Sequence, residues 1–192
     1  RLYGEALELI EVGDVGQHEE TLERYARVLL AEGHVEKATE VARQLGDEEG
    51  IPFRKSQALL REVLSRVSDY MPALNILAAQ AERMAQREQR LRWLEKSLTA
   101  NPHQDDVRDT LIGIYRDMNQ TVRLGALLRD KHHDHPNDDV VTLEFASVLH
   151  QNGNAGDALE ILEDFTSRRK TVPPHAFLLK ARIYYDSEEW EK

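Results

Sequence analysis

Pro102 and Pro136 lie 34 residues apart (136 − 102), and each closes a stretch built on the same plan. The first stretch, 71–104, carries Leu74, Leu77, Ala78 and Ala81, then a short polar break, then Leu91, Leu94 and Leu98. The second, 105–138, repeats it with Val107, Leu111, Ile114 and Met118 followed by Leu124, Leu127 and Leu128. Spacings of three and four residues put each apolar set on one side of a helix. The proline stops the second set, because its ring lacks the N–H that a continuing helix would need. A pair of such helices cannot bury its apolar surface alone, so neighbouring pairs must cover it. The period therefore predicts a stack of helix pairs.

The plan continues in both directions. Residues 139–173 hold Leu143, Ala146 and Leu149, then Ala158, Ile161, Leu162 and Phe165, and 174–192 opens a further, truncated repeat with Phe177, Ala181 and Tyr184. Before residue 71 the pattern is degenerate. Leu2, Ala6, Leu9 and Ile10 predict a helix, and Gly13-Asp14-Val15-Gly16 a turn, since paired glycines favour one. Leu22, Tyr25, Ala26, Leu29 and Leu30 predict a helix ending at Gly33, and Val35, Ala38, Ala42 and Leu45 another ending at Gly46. Residues 46–52 form the largest irregular insert and a candidate joint, followed by a helix through Leu59, Leu60, Val63, Leu64 and Val67. Helix pairing before residue 50 stays open, because Val35 to Leu45 suits either the second helix of one pair or the first of the next. No segment alternates with period two, so the expected class is all-α. The expected organisation is one solenoid fragment over 1–192, with 1–70 as its degenerate part.

Charge limits the partners. Thirty-five Asp and Glu against 25 Lys and Arg give a formal charge of −10, a field that repels a phosphate backbone and argues against nucleic acid. With no cysteine there is no disulfide framework, thiolate metal site or cysteine nucleophile. That absence suits a periplasmic or a cytoplasmic location alike. No apolar run approaches the ~20 residues of a membrane span. The chain starts at Arg1 without a methionine and stops at Lys192 where a helix should begin, which reads as a piece of a longer protein.

These residues resemble the tetratricopeptide repeat (TPR) family. Leu111, Tyr115 and Pro136 fit one repeat; Leu74, Leu77, Ala78, Leu94, Ser97 and Pro102 the one before; Ala146, Gly153, Ala158 and Leu162 the one after. Phe177, Ala181, Tyr184 and Trp190 fit a last one, and Tyr25, Ala26, Gly33 and Ala38 an earlier one. The sequence departs from the pattern where Arg90 and Leu124 stand at its small alanine, Ile112 at its glycine and Ser68 at its proline. A large side chain in such a seam strains it by about 1–3 kcal/mol unless the helices stand further apart.

The resemblance implies a right-handed α–α superhelix whose first helices line a concave groove that binds a peptide or a folded domain. Carried over residue by residue, Asn75, Arg83, Arg116, His150, Arg182 and Tyr185 are the candidate partner-binding residues. The three arginines suit carboxylates, which a guanidinium grips with paired hydrogen bonds. The Lys and Asn pair by which chaperone-binding TPRs hold a C-terminal carboxylate has no match. The resemblance also extends to the long, degenerate TPR arrays of bacterial exopolysaccharide-export proteins, which implies a polymer-modifying enzyme or an anionic or carbohydrate polymer as partner. A regulatory TPR region of a larger enzyme is the remaining alternative.

Catalytic and cofactor motifs are missing: there is no phosphate-binding glycine loop, no nucleophile elbow and no His-Glu-x-x-His helix. The expected protein is not an enzyme and carries no cofactor or metal. His132-His133-Asp134-His135 has metal-ligand composition, but successive helical side chains diverge by about 100°, so two at most converge on one ion. Imidazoles at a helix end before Pro136 instead suit the exposed carbonyls there. The Arg83, Arg87, Arg90, Arg92 run reads as a solvated face interleaved with Glu82, Glu88 and Glu95.

Overall fold

The computed structural model describes residues 15–47 and 50–187. The helix expected over residues 2–12, Gly13, Asp14 and Trp190 lie outside the described residues. The described residues form ten helices and no strand: α1 Val15–Ala31, α2 Val35–Asp47, α3 Ile51–Arg66, α4 Met71–Arg83, α5 Arg87–Ala100, α6 Asp105–Asp117, α7 Thr121–Asp134, α8 Asp139–Gln151, α9 Ala155–Ser167 and α10 Pro174–Asp186. Contacts divide the chain into two compact units after Val107, in the first turn of α6.

Four of the helix–helix turns share one construction. Gly33, Ala85, Asn119 and Gly153 all take the left-handed conformation, with φ of 82°, 54°, 52° and 84°. The next residue then donates its backbone N–H back into the preceding helix: His34 to Leu29 O at 2.8 Å, Gln86 to Ala81 O at 2.8 Å, Gln120 to Tyr115 O at 2.9 Å, Asn154 to Leu149 O at 2.9 Å. These bonds satisfy carbonyls that the helix end leaves without an intrahelical partner. Ala85, Asn119 and Gly153 keep the 34-residue phase (119 − 85 and 153 − 119). Gly33 does not, because one helix, α3, fills the stretch from Gly50 to Tyr70 where a full repeat has two.

That single helix is why pairing before residue 50 could be read two ways. The turn at Gly33 joins α1 to α2 as in a later pair, yet α2 packs most extensively on α3. The irregular insert is also shorter than 46–52. Helix α2 runs to Asp47 and α3 begins at Ile51, with Gly50 at φ 91° ahead of Pro52 in the first turn. Gly16, expected in a turn, falls inside α1.

In the first unit, Leu22, Ala26, Leu29 and Leu30 of α1, Ala38, Ala42 and Leu45 of α2, and Leu59, Leu60 and Val63 of α3 meet Leu74 and Leu77 of α4 in one core. Trp93 of α5 and Tyr70 pack against it half-buried. The helices approach closely at Gly46, where a Cβ would stand 2.3 Å from Gln80 Nε2 and 2.8 Å from Ser56 Oγ. Small polar groups fill that junction. Ser56 Oγ donates to Ala42 O, and Gln80 Nε2 donates to Ser56 Oγ at 2.8 Å.

In the second unit the core takes Leu111 and Tyr115 from α6, Leu128 from α7, Val141, Phe145 and Ala146 from α8, Leu162 and Phe165 from α9, and Ile183 from α10. Asp138 caps α8, accepting from the N–H groups of Val140 at 2.9 Å and Val141 at 3.1 Å. The departures from the repeat pattern are absorbed locally. Leu124 is buried, and the close approach has moved one residue on to Gly125, whose added Cβ would meet Asn152 Nδ2 at 3.2 Å and Val148 Cγ1 at 3.3 Å. Arg90 avoids the seam by reaching Glu82 at 2.9 Å.

Candidate partner-binding faces

The candidate residues of the first unit sit on α4. Asn75 is half-buried and turned inward: its Nδ2 donates to Gln104 Oε1 at 3.0 Å and its Oδ1 accepts from Ser97 Oγ at 2.6 Å. Gln104 closes the cluster by donating to Ser97 O at 2.8 Å. Asn75 thus ties α4 to α5 and to the turn after it, and a partner reaching its amide would have to open that cluster. Arg83, the last residue of α4, is exposed but fixed. Its Nη1 donates to Gly46 O at 2.6 Å, a carbonyl at the end of α2, and its guanidinium lies 5.3 Å from the centre of the Phe53 ring.

In the second unit, Arg116 of α6 forms a two-nitrogen pair with Glu144 of α8, Nε at 2.8 Å and Nη2 at 2.6 Å from Oε1. His150 of α8 places Nε2 2.8 Å from Asp186 Oδ2 of α10. Arg182 of α10 reaches the same carboxylate, at 3.7 Å. Tyr185 is 62% exposed beside them. His150, Arg182 and Asp186 therefore form one cluster, while Arg116 stands in a separate one with Glu144.

The histidine run diverges as helical geometry requires. Thr142 Oγ1 donates to Asp138 O at 2.8 Å, so its contact with His132 Nδ1 at 3.1 Å has the imidazole as donor. The His132 ring also packs 5.7 Å from Phe145, and burial pushes its pKa below the ordinary histidine value. Asp134 pairs instead with the buried Arg108 at 2.9 Å. Among the described residues no group of three or more His, Asp or Glu is placed to hold a metal ion.

The sequence reading missed one cleft, of about 590 Å3, between α3 and the end of α4 in the first unit. Phe53, Arg54, Gln57 and Arg61 line it from α3, Arg83 and Met84 from the far side. Residues 54, 57 and 61 share one helical face, which is a signal in the sequence, but the contribution of Arg83 and Met84 depends on how α3 packs.

The sequence matches no protein-family model and no curated protein sequence. Its fold does match solved structures. A chain of the Naa15/Naa10 complex bound to HypK-THB superposes with a TM-score of 0.63 at 15% identity, over 89% of this chain and 29% of that one. YrrB, a TPR protein with an unusual peptide-binding site, superposes with a TM-score of 0.52 at 17% identity, over 89% of this chain and 78% of that one. This chain therefore spans less than a third of the first of these proteins. The fold is the all-α helical repeat of TPR solenoids.

Proposed function

We propose that this chain is a non-catalytic scaffold that binds another protein, as a peptide or a folded domain, through the outward faces of the first helices of its pairs. The observation that carries the reading is that polar side chains on these faces are held by neighbouring helices before a partner arrives. Arg83 rests on Gly46 O and Phe53, Arg116 on Glu144, and His150 on Asp186. A surface already ordered loses little side-chain entropy on binding, which is how a repeat scaffold gains affinity from many small contacts. The fold shared with YrrB, itself a peptide-binding TPR protein, supports the same reading.

The test is quantitative mass spectrometry of proteins retained from the native source by wild type and by Arg83→Ala/Arg116→Ala. The reading expects at least one partner to be lost while far-UV circular dichroism stays unchanged. Identical retention by both overturns the assignment to these faces. The finer setting, a periplasmic segment of a bacterial exopolysaccharide-export protein, rests on the degenerate repeats alone. A β-barrel encoded downstream in the parent gene supports that setting, and a cytosolic catalytic domain there overturns it.

A further inference from the structure

The cleft between α3 and the end of α4 combines features that a merely solvated face does not. Its floor is apolar: Phe53 is only 8% exposed at its base, while Met84 stands 49% exposed at its rim. Its walls are cationic, with Arg54 and Arg61 on α3 facing Arg83. In a chain of net charge −10, several cations of the same unit are taken up by carboxylates: Arg27 by Glu23 at 2.9 Å, Arg43 by Glu40 at 2.6 Å, and Lys55, next to Arg54, by Glu23 at 3.3 Å. Arg54 and Arg61 have no such partner among the described residues. Arg83 commits one donor to Gly46 O and stacks on Phe53, which fixes its plane and leaves other N–H groups to offer.

We propose that this cleft is a docking site for an acidic peptide segment of a partner protein, with a bulky apolar side chain set between carboxylates. The proposal rests on the scaffold reading and names the chemistry of one of its partners. Arg54 and Arg61 are seven positions apart on α3, a rise of about 10 Å, which an extended peptide covers in about three residues. Carboxylates at that spacing meet the guanidiniums of Arg54 and Arg61, and the side chain between them enters over Phe53 and Met84. Guanidinium–carboxylate pairs at the edge of an apolar floor are shielded from water on one side, so they hold more firmly than fully exposed pairs. A methionine at the rim adapts to different apolar side chains. A short peptide also escapes the long-range repulsion that the net charge imposes on a nucleic-acid backbone.

The experiment is fluorescence anisotropy of the intact chain with a fluorescein-labelled peptide carrying leucines between two glutamates about three residues apart. Wild type is expected to bind it, and Arg54→Gln/Arg61→Gln to bind roughly tenfold or more weakly. A peptide with glutamine for glutamate is expected to lose affinity similarly, as is Met84→Glu. All these substitutions are at exposed positions, and unchanged thermal melts by circular dichroism confirm the fold. Absence of binding, or equal binding by Arg54→Gln/Arg61→Gln, overturns the inference. Equally tight binding of a labelled single-stranded oligonucleotide of the same charge overturns the assignment to peptide. Each of these failures leaves the scaffold reading intact if Arg83→Ala/Arg116→Ala still loses a native partner. If that variant loses none while the peptide still binds, the scaffold faces fail and the cleft stands.

Discussion

Gly46→Ala tests the packing on which the first unit depends. Gly46 lies in the last turn of α2, and in an ordinary exposed helix alanine would be favoured there by about 1 kcal/mol. Here the added methyl would stand 2.3 Å from Gln80 Nε2 and 2.8 Å from Ser56 Oγ. Both atoms belong to buried residues, and they are hydrogen-bonded to each other at 2.8 Å. The Gln80 amide can move only by giving up that bond, worth about 1 kcal/mol, with further strain of about 1–3 kcal/mol where Ser56 holds its place on Ala42 O. Set against the helix-propensity gain, the net expectation is a destabilisation of about 1–3 kcal/mol. Urea unfolding followed by Trp93 fluorescence in a Trp190→Phe background measures it in this unit, since Trp93 packs against the core. Gly46→Ala/Gln80→Ala removes the nearer clash and should be less destabilised than the two single changes added together, by about 1 kcal/mol. A neutral or stabilising Gly46→Ala, or strict additivity, refutes the reasoning.

Four further outcomes follow from the same packing. Ala85 occupies the left-handed turn position at φ 54°, so Ala85→Gly should stabilise the chain by about 0.5–1 kcal/mol in urea, the reverse of its effect inside a helix. Asn75→Leu strands Ser97 and Gln104 and should lower stability by about 1–3 kcal/mol in the same assay, whatever it does to partner binding. Burial lowers the His132 pKa, so the unfolded chain takes up a proton where the folded chain does not. Its contribution is complete above the ordinary value of 6.5 and is lost as pH falls below it, levelling off beneath the lowered value; His132→Gln should flatten this part of the urea midpoint against pH. Arg116 and Glu144 form a pair whose arginine is 54% exposed, so Glu144→Gln should change stability by less than about 1 kcal/mol while altering partner capture.

The helices and their apolar faces were legible because period and burial have the same cause. Leu74, Leu77, Leu111, Leu128 and Leu162 repeat where neighbouring pairs must meet, and all are nearly or fully buried. The phase of the first unit was not legible, since a lone helix such as α3 has the same local pattern as half of a pair. Gly46 looked like a helix stop because glycine serves both as a terminator and as a point of close approach, and only the position of Gln80 separates the two. The repeat resemblance placed Arg83 and Arg116 on a groove-lining face. It could not tell that each is already seated on a neighbouring helix, whereas Arg54 and Arg61 have no ion-pair partner among the described residues. Asn75 shows the same limit: its amide serves the joint between α4, α5 and Gln104, a role that depends on residues 22 and 29 positions away.

Hydrogen–deuterium exchange on the chain, alone and with a partner that wild type captures and Arg83→Ala/Arg116→Ala does not, tests the scaffold most directly. The account expects slower exchange in the C-terminal halves of α4, α6, α8 and α10, with no rise in helix content by circular dichroism. A gain of helix on binding, or protection confined to α5, α7 and α9, would contradict it.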